Sequence, residues 1–134
     1  MPTSADRLRA AARQLADIHN GLRADLDRLR SGEALPARLA DHCLAFCAAL
    51  TAHHTGEDTL AFPYLDDASP DLKPTLDRLR REHSVVADRI RELRALSAAD
   101  PRALRDRLDT LAAELDEHFR YEEAMLIPAI EALP

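Results

Sequence analysis

Residues 76–93 read LDRLRREHSVVADRIREL. Apolar side chains recur in steps of three and four along this segment, at Leu76, Leu79, Val86, Ile90 and Leu93. That spacing places them on one face of an α-helix, which has 3.6 residues per turn. His83 falls on the same stripe, between Leu79 and Val86. The segment therefore predicts an amphipathic helix whose apolar face includes an imidazole.

Three further segments carry similar apolar stripes, and turn-forming residues separate them. The stripes are Leu8, Leu15, Leu22, Leu26 and Leu29; Phe46, Leu50 and Leu60; and Leu104, Leu108, Leu111, Leu115 and Leu126. The breaks fall at residues 31–36, 66–70 and 97–101, where Ser69-Pro70 and Asp100-Pro101 resemble a helix cap followed by proline at the first helical position. Short connections favour antiparallel neighbours. We therefore expect residues 1–134 to form a single domain, an all-α, antiparallel up-down-up-down four-helix bundle.

The composition agrees with a helical protein and argues against several partners. Ala and Leu together supply 47 of the 134 residues, whereas Val, Ile and Thr supply 12, which is too few for a sheet. The formal charge of -6 gives no basic face for a nucleic acid or an anionic membrane. The sequence has neither a membrane-spanning apolar run nor the apolar core of a signal peptide, so we expect a cytoplasmic protein.

Histidines and carboxylates interrupt the stripes at related positions. His19 lies between Leu15 and Leu22, as His83 does on its own stripe. The second and fourth segments share a pattern offset by 65 residues: His53-His54-x-x-Glu57-Asp58 aligns with His118-Phe119-x-x-Glu122-Glu123. In each copy the first histidine and the glutamate are four residues apart, which places both on one helix face. Four histidines and two glutamates are therefore expected to point into the bundle.

Inward carboxylates require compensation, because burial of an unpaired charge is costly. No Arg or Lys on the inward stripes accompanies Glu57 or Glu122. Cations held by neutral imidazoles, with the two carboxylates bridging a pair of ions, are the expected compensation. This donor set suits iron or manganese, and zinc less well. The alternative is that the His/Glu pairs occur by chance on solvated helix faces, but the repeat and the inward positions disfavour it.

As a set, these residues resemble the hemerythrin-like, His-His-Glu cation-binding domain over essentially the whole chain. The resemblance rests on His19, His53-His54-x-x-Glu57-Asp58, Glu82-His83 and His118-Phe119-x-x-Glu122-Glu123. It implies a four-helix bundle with two iron ions, bridged by two carboxylates and a solvent-derived oxygen. By similarity, His19, His53, His83 and His118 would be terminal ligands, and Glu57 and Glu122 would bridge; manganese or zinc is a less favoured occupant.

The chain departs from the oxygen-carrying hemerythrins at two positions. Those proteins have a second histidine four residues after the one in helix three, where this chain has Ala87. They also place the last carboxylate five residues after its histidine, which here is Glu123 rather than Glu122. His54 is a candidate for the missing ligand, and the alternative is that it only supports another ligand. The differences weaken the case for simple reversible oxygen carriage.

Several other polar residues are weaker candidates for a functional site. His42, Cys43 and Cys47 could form a separate thiol and imidazole site, but helix capping and core packing of reduced cysteines is the favoured interpretation. Asp58 and Glu123 occupy matching positions and are expected to support ligands or to face solvent rather than to bind metal. Tyr64 and Tyr121 could donate hydrogen bonds near the site, although no spacing requires it.

The sequence leaves three functional hypotheses open. The leading one is a di-iron protein that binds or senses dioxygen or a related small oxidant, such as peroxide or nitric oxide. The second is a di-iron redox enzyme that removes peroxide or nitric oxide. The third is a helical interaction domain in which the ion, such as zinc, only stabilises the fold. The sequence does not indicate the oligomeric state or an electron-transfer partner.

Overall fold

A computed structural model of the chain describes residues 3–31, 36–96 and 101–134, and within them it contains α-helices but no strands. The α-helices are α1 Ser4–Ser31, α2 Pro36–Gly56, α3 Phe62–Ala68, α4 Lys73–Leu96 and α5 Pro101–Glu131. A π-helical turn, Glu57–Ala61, joins α2 to α3, so residues 36–68 form one continuous rod. A 3-10 turn, Pro70–Leu72, precedes α4. The predicted all-α fold is confirmed.

The four rods form a closed antiparallel bundle. α1 packs against α2 and α5, and α4 also packs against α2 and α5, so each rod contacts its neighbours in sequence and α5 closes on α1. Near the start of α1, Arg9 Nη1 donates a hydrogen bond to the Leu133 carbonyl, just beyond the end of α5, at 2.9 Å. Arg107, near the start of α5, lies 3.1 Å from Glu92, near the end of α4. The predicted up-down-up-down topology is therefore confirmed.

The helix boundaries follow the predicted breaks, except at the start of α4. α1 ends at Ser31, α3 ends at Ala68 and α5 begins at Pro101, while Asp100 and residues 32–35 lie outside the described residues. The predicted cap at Ser69 is wrong in detail, because the Ser69 side chain caps no helix. Its backbone carbonyl instead accepts a hydrogen bond from the Leu72 N–H at 2.9 Å. Pro70 therefore opens the 3-10 turn, and α4 begins only at Lys73.

The apolar core has two parts, one toward each end of the bundle. The first cluster contains Leu22, Leu26, Leu29, Cys43, Phe46, Cys47, Leu50, Val86, Ile90, Leu93, Leu104, Leu108, Leu111, Leu115 and Phe119. The second contains Ala12, Phe62, Leu65, Leu76, Leu79, Leu126, Ile130 and Leu133. On α1, the rod of residues 36–68 and α4, the buried histidines and glutamates fall between the two clusters; on α5, Glu122 does so, and His118 precedes Phe119, the last residue of the first cluster. Both cysteines are buried and free, as expected.

The π-helical turn explains why one predicted core residue is exposed. Leu60, assigned to the inward stripe of the second segment, is 75% exposed. The backbone N–H of Phe62 bonds to the carbonyl of Glu57, five residues earlier, instead of four. The extra residue rotates Leu60 outward and brings Phe62 and Leu65 into the core. In α5, which lacks this turn, Leu126 follows Glu122 by the ordinary four residues and is buried.

None of the described helices has the length and apolar character needed to cross a membrane.

Candidate metal centre

The structure brings together all seven residues that the sequence singled out as metal ligands. α1 supplies His19, the rod of residues 36–68 supplies His53, His54 and Glu57, α4 supplies His83, and α5 supplies His118 and Glu122. Their nitrogen and oxygen atoms form three overlapping groups, each with all atoms within 4.8 Å: His54, His83 and His118; His19, His53 and Glu122; and Glu57, His83 and Glu122. The seven side chains thus form one layer across the bundle.

Three histidines form a triad on one side of the layer. The ring of His54 stacks on that of His83, with 3.8 Å between ring centroids. The ring of His118 lies edge-on to both, at 5.1 Å from His54 and 4.9 Å from His83. His54 therefore belongs to the layer and does not point to solvent, and one of its ring nitrogens lies within the same group as ring nitrogens of His83 and His118.

His19 and His53 form a second, smaller set, the histidine pair. Their Nε2 atoms are 3.1 Å apart, and their rings are nearly perpendicular. The ring of His19 also stacks on Phe119, with centroids 4.0 Å apart. This stacking fixes the orientation of His19 and leaves its Nε2 directed at His53 and Glu122.

The two buried glutamates each lie between the triad and the pair. Glu57 Oε1 is 3.4 Å from His53 Nε2 and 3.5 Å from His83 Nε2. Glu122 Oε1 is 3.8 Å from His19 Nε2, and its Oε2 is 3.3 Å from His118 Nε2. Each carboxylate is therefore placed to contact two positions at once, which is the arrangement that bridging ligands need.

Most of the converging atoms have no hydrogen-bond partner among the described residues. They are His54 Nε2, His83 Nε2, His118 Nε2, Glu57 Oε1 and both carboxylate oxygens of Glu122. Buried polar atoms in proteins are almost always paired, so several orphaned donor atoms at one point require an explanation. Nitrogen and carboxylate oxygen atoms without a protein partner are a donor set that fits a divalent or trivalent cation.

The electrostatics of the layer favour the same donor set. Burial lowers the pKa of His19 to about 4, and burial together with the neighbouring His83 lowers the pKa of His54 to about 2. Burial and the adjacent Glu122 raise the pKa of Glu57 to about 11. Burial alone would lower the pKa of His118, but the nearby Glu122 and Glu82 carboxylates raise it. The layer thus keeps neutral imidazole nitrogens at His19 and His54, and a proton on the glutamate pair that a cation would replace.

Two histidines are held from outside the layer by hydrogen bonds to acidic side chains of neighbouring rods, and a third lies close to one. His83 Nδ1–H donates to Asp58 Oδ1 at 2.8 Å, and His118 Nδ1–H donates to Glu82 Oε1 at 2.7 Å. His19 Nδ1 lies 3.4 Å from Glu123 Oε2, which also accepts a hydrogen bond from Arg23 at 3.1 Å. Such contacts fix the ring and leave Nε2 free to bind a metal.

Sequence reasoning expected Asp58 and Glu123 to support ligands or to face solvent, and it named Glu82 only as part of the Glu82-His83 motif, without a role. Glu82 lies beside the inward stripe of α4, where it also accepts a hydrogen bond from Arg78 at 3.0 Å. An Arg and a Glu four residues apart are typical of a solvated helix face, so the helical spacing alone does not distinguish Glu82 from a surface residue. Its partner, His118, is 36 residues away in the sequence.

The remaining polar candidates take no part in the layer. His42 is exposed, whereas Cys43 and Cys47 are buried in the first apolar cluster, where the favoured interpretation expected the cysteines. His42 is offset from Cys43 by about 100° around the helix axis, so it lies off the Cys43–Cys47 stripe. The Tyr121 hydroxyl lies 3.5 Å from the Thr75 hydroxyl and contacts none of the seven residues.

A groove on the outside of the bundle reaches the layer. It has a volume of about 620 Å³ and runs between the first half of α1 and residues 52–65. Of the seven layer residues, only His53 and Glu57 line it. The triad is thus shielded on this side, and the histidine pair is the part of the layer that the groove approaches.

Comparison with protein families agrees with this geometry. Residues 10–130 match the model of the hemerythrin HHE cation binding domain. The chain belongs to this family. No curated protein and no solved structure matches the chain. Membership of the hemerythrin HHE family makes this a helical, cation-binding protein, and the buried His/Glu layer is where the described residues offer such a site.

The structure also shows how this hemerythrin HHE chain accommodates its departures from the oxygen carriers. Ala87 is exposed and contributes nothing to the layer, whereas His54 stacks on His83 from the opposing rod. Glu123 points to His19 Nδ1 and Arg23, while Glu122 is fully buried between the histidines. The layer therefore contains five histidines and two glutamates, of which His54 comes from the rod of residues 36–68.

Proposed function

We propose that the protein is a non-haem di-iron protein that binds or senses dioxygen or a related small oxidant, such as peroxide or nitric oxide. His54, His83 and His118 would hold one iron ion, His19 and His53 would hold the other, and Glu57 and Glu122 would bridge them. The observation that carries the proposal is the convergence of orphaned donor atoms in a layer that lies between two apolar clusters.

Iron is the occupant that the donor set favours. Five imidazoles and two carboxylates, without a thiolate, suit iron or manganese, and a bridging pair of carboxylates suits zinc less well. The cysteines lie in the first apolar cluster and do not compete as ligands. Bound iron would supply the redox and ligand-binding chemistry, because it can react with small oxidants when a coordination position is open.

The unequal histidine sets support a particular place for the small ligand. Three imidazoles crowd the triad side, whereas the pair side has only two and faces the groove through His53 and Glu57. Apolar side chains of both clusters surround the layer elsewhere and exclude bulk water. A diatomic molecule or peroxide would therefore arrive at the histidine pair.

The test is elemental analysis of the purified protein, combined with absorption spectra recorded anaerobically and after addition of dioxygen, peroxide or nitric oxide. We expect about two iron ions per chain and absorption bands that change when one of these ligands is added. Glu57→Gln should lose iron and these changes, whereas Glu117→Gln, at an exposed position of α5, should keep both. Stoichiometric zinc with no spectral response would refute the proposal and support a structural role for the ion. Rapid, repeated loss of added peroxide would instead assign the protein to the redox enzymes.

A further inference from the structure

The groove that reaches His53 and Glu57 is much larger than a small oxidant requires. Its volume of about 620 Å³ lies within the roughly 300–1,000 Å³ typical of sites for organic molecules. A water molecule, by comparison, occupies about 30 Å³ in the liquid, and a diatomic ligand is of similar size. The groove therefore has room for a ligand with many more atoms than dioxygen or peroxide.

Small residues keep the groove open along its length. Its walls include Ala11 and Ala12 of α1, and Ala52, Gly56 and Ala61 on the opposite rod. A Cβ atom built on Gly56 would meet no other atom within 4 Å, so the space beside this glycine is empty. A larger side chain at these positions would close the gap between the rods.

The lining of the groove changes in character from one end to the other. Leu8, Leu15, Ile18 and Leu60 make most of its length apolar, and both Ile18 and Leu60 expose large apolar surface. Arg7 lies at the outer end and forms no ion pair with any residue that the structure describes. From Arg7 to Ile18 the groove follows α1 for roughly 16 Å, at 1.5 Å per residue.

We propose that this groove binds an amphipathic organic anion, with its acid group at Arg7 and its apolar chain directed along α1 toward His53 and Glu57. The charge of Arg7 selects the orientation, because Arg7 is the only arginine or lysine among the residues that line the groove. The apolar walls select a hydrocarbon chain over a polar ligand. This inference concerns the groove alone and does not depend on which cation the layer holds.

Calorimetric titration of the full chain, with its metal content measured beforehand, tests the inference with two probes. Octanoate carries the acid group, and 1-octanol has the same chain without the charge. We expect both probes to bind. Gly56→Leu should weaken both by about tenfold or more, because leucine would displace the methylene groups of the probe from the groove. Arg7→Ala should weaken octanoate by about two- to fivefold and leave 1-octanol unchanged.

Gly21→Leu is the matched control, since Gly21 is also helical, has equally open surroundings and lies outside the groove. It should bind both probes like the unaltered chain. Ala11→Leu narrows the groove from the α1 side and should reproduce the effect of Gly56→Leu should that variant fail to fold. Absence of binding by the unaltered chain, or undiminished binding by both narrowed variants, would overturn the proposal. So would a dimer, measured by light scattering, that octanoate dissociates, because the groove would then be covered by a second copy of the chain.

Discussion

Replacement of Glu122 by Gln is the sharpest test of the metal layer, because it removes a charge without changing shape. Glu122 is 0% exposed and lies within 3.8 Å of His19 Nε2 and 3.3 Å of His118 Nε2. As a bridging ligand, it would serve both cations. Burial raises the pKa of Glu122, but the neighbouring Glu57 and His118 outweigh this effect and lower the pKa to about 2 in the metal-free protein. The folded chain therefore favours the charged form, so we expect Glu122→Gln to lower metal-free stability modestly and, in addition, to weaken the stabilisation by metal.

The magnitude of this loss follows from linkage. Free metal at 1,000 times its dissociation constant stabilises the folded state by about 4.1 kcal/mol. For a chain of this size, about 1 kcal/mol corresponds to roughly 4 °C in Tm, so metal should raise the Tm by about 16 °C. Partners that merely support a metal ligand contribute about 10- to 100-fold in affinity, and a bridging ligand should reach the upper end. A 100-fold loss is about 2.7 kcal/mol, or roughly 11 °C of the metal-induced shift.

Differential scanning calorimetry with and without iron measures the shift directly. Glu117→Gln makes the same chemical change at an exposed site of α5 and should retain the full shift. The ligand assignment would be refuted if Glu122→Gln kept both the full metal-induced shift and the metal content of the unaltered chain. A Tm that falls equally with and without metal would also refute it, because Glu122 would then be a packing residue only.

Three further predictions concern the surroundings of the layer. Glu82→Gln should weaken iron binding by about 10- to 100-fold, measured by competition with a chelator, because His118 would lose its charged acceptor 2.7 Å away. Leu60→Ser should change the free energy of unfolding by no more than about 0.5 kcal/mol, whereas Phe62→Ala should lower it by about 3–5 kcal/mol in urea denaturation. Metal binding at pH 7–8 should release at least one proton, because the pKa of Glu57 is raised to about 11 in the metal-free state. Apparent affinity should therefore increase with pH, and calorimetry in buffers of different ionisation enthalpy detects the released proton; equal heats in all buffers would contradict this.

Much of the fold and site was predictable because helical periodicity is a local property of the sequence. The stripe in residues 76–93 indicated both the buried face of α4 and the inward direction of His83, and both are confirmed. The His53/Glu57 and His118/Glu122 spacings likewise placed their side chains in the layer. A residue four positions from an inward apolar residue must point the same way as long as the helix remains regular.

The errors arose where the helix is not regular or where a contact joins distant segments. Extrapolation of the α-helical period through Glu57–Ala61 placed Leu60 inside, whereas the π-helical turn makes Phe62 the inward residue. A single extra residue leaves no trace in a pattern whose apolar steps already alternate between three and four. The pairing of Glu82 with His118, and the groove beside Gly56, depend on how rods separated in sequence pack together.

The position of the π-helical turn also connects the layer to the groove. It begins at Glu57, the first residue after α2, and ends immediately before Phe62. A regular helix that placed Glu57 inward would also direct Leu60 and Ala61 toward the core and would fill the space beside α1 with a leucine side chain. Because of the inserted residue, Glu57 faces the histidines and Phe62 packs in the second cluster. Leu60 stays exposed and lines the groove. The same local distortion therefore directs the Glu57 carboxylate into the layer and leaves the groove open beside it. In α5, where no such turn follows Glu122, Leu126 is buried in the second cluster, four residues after the glutamate.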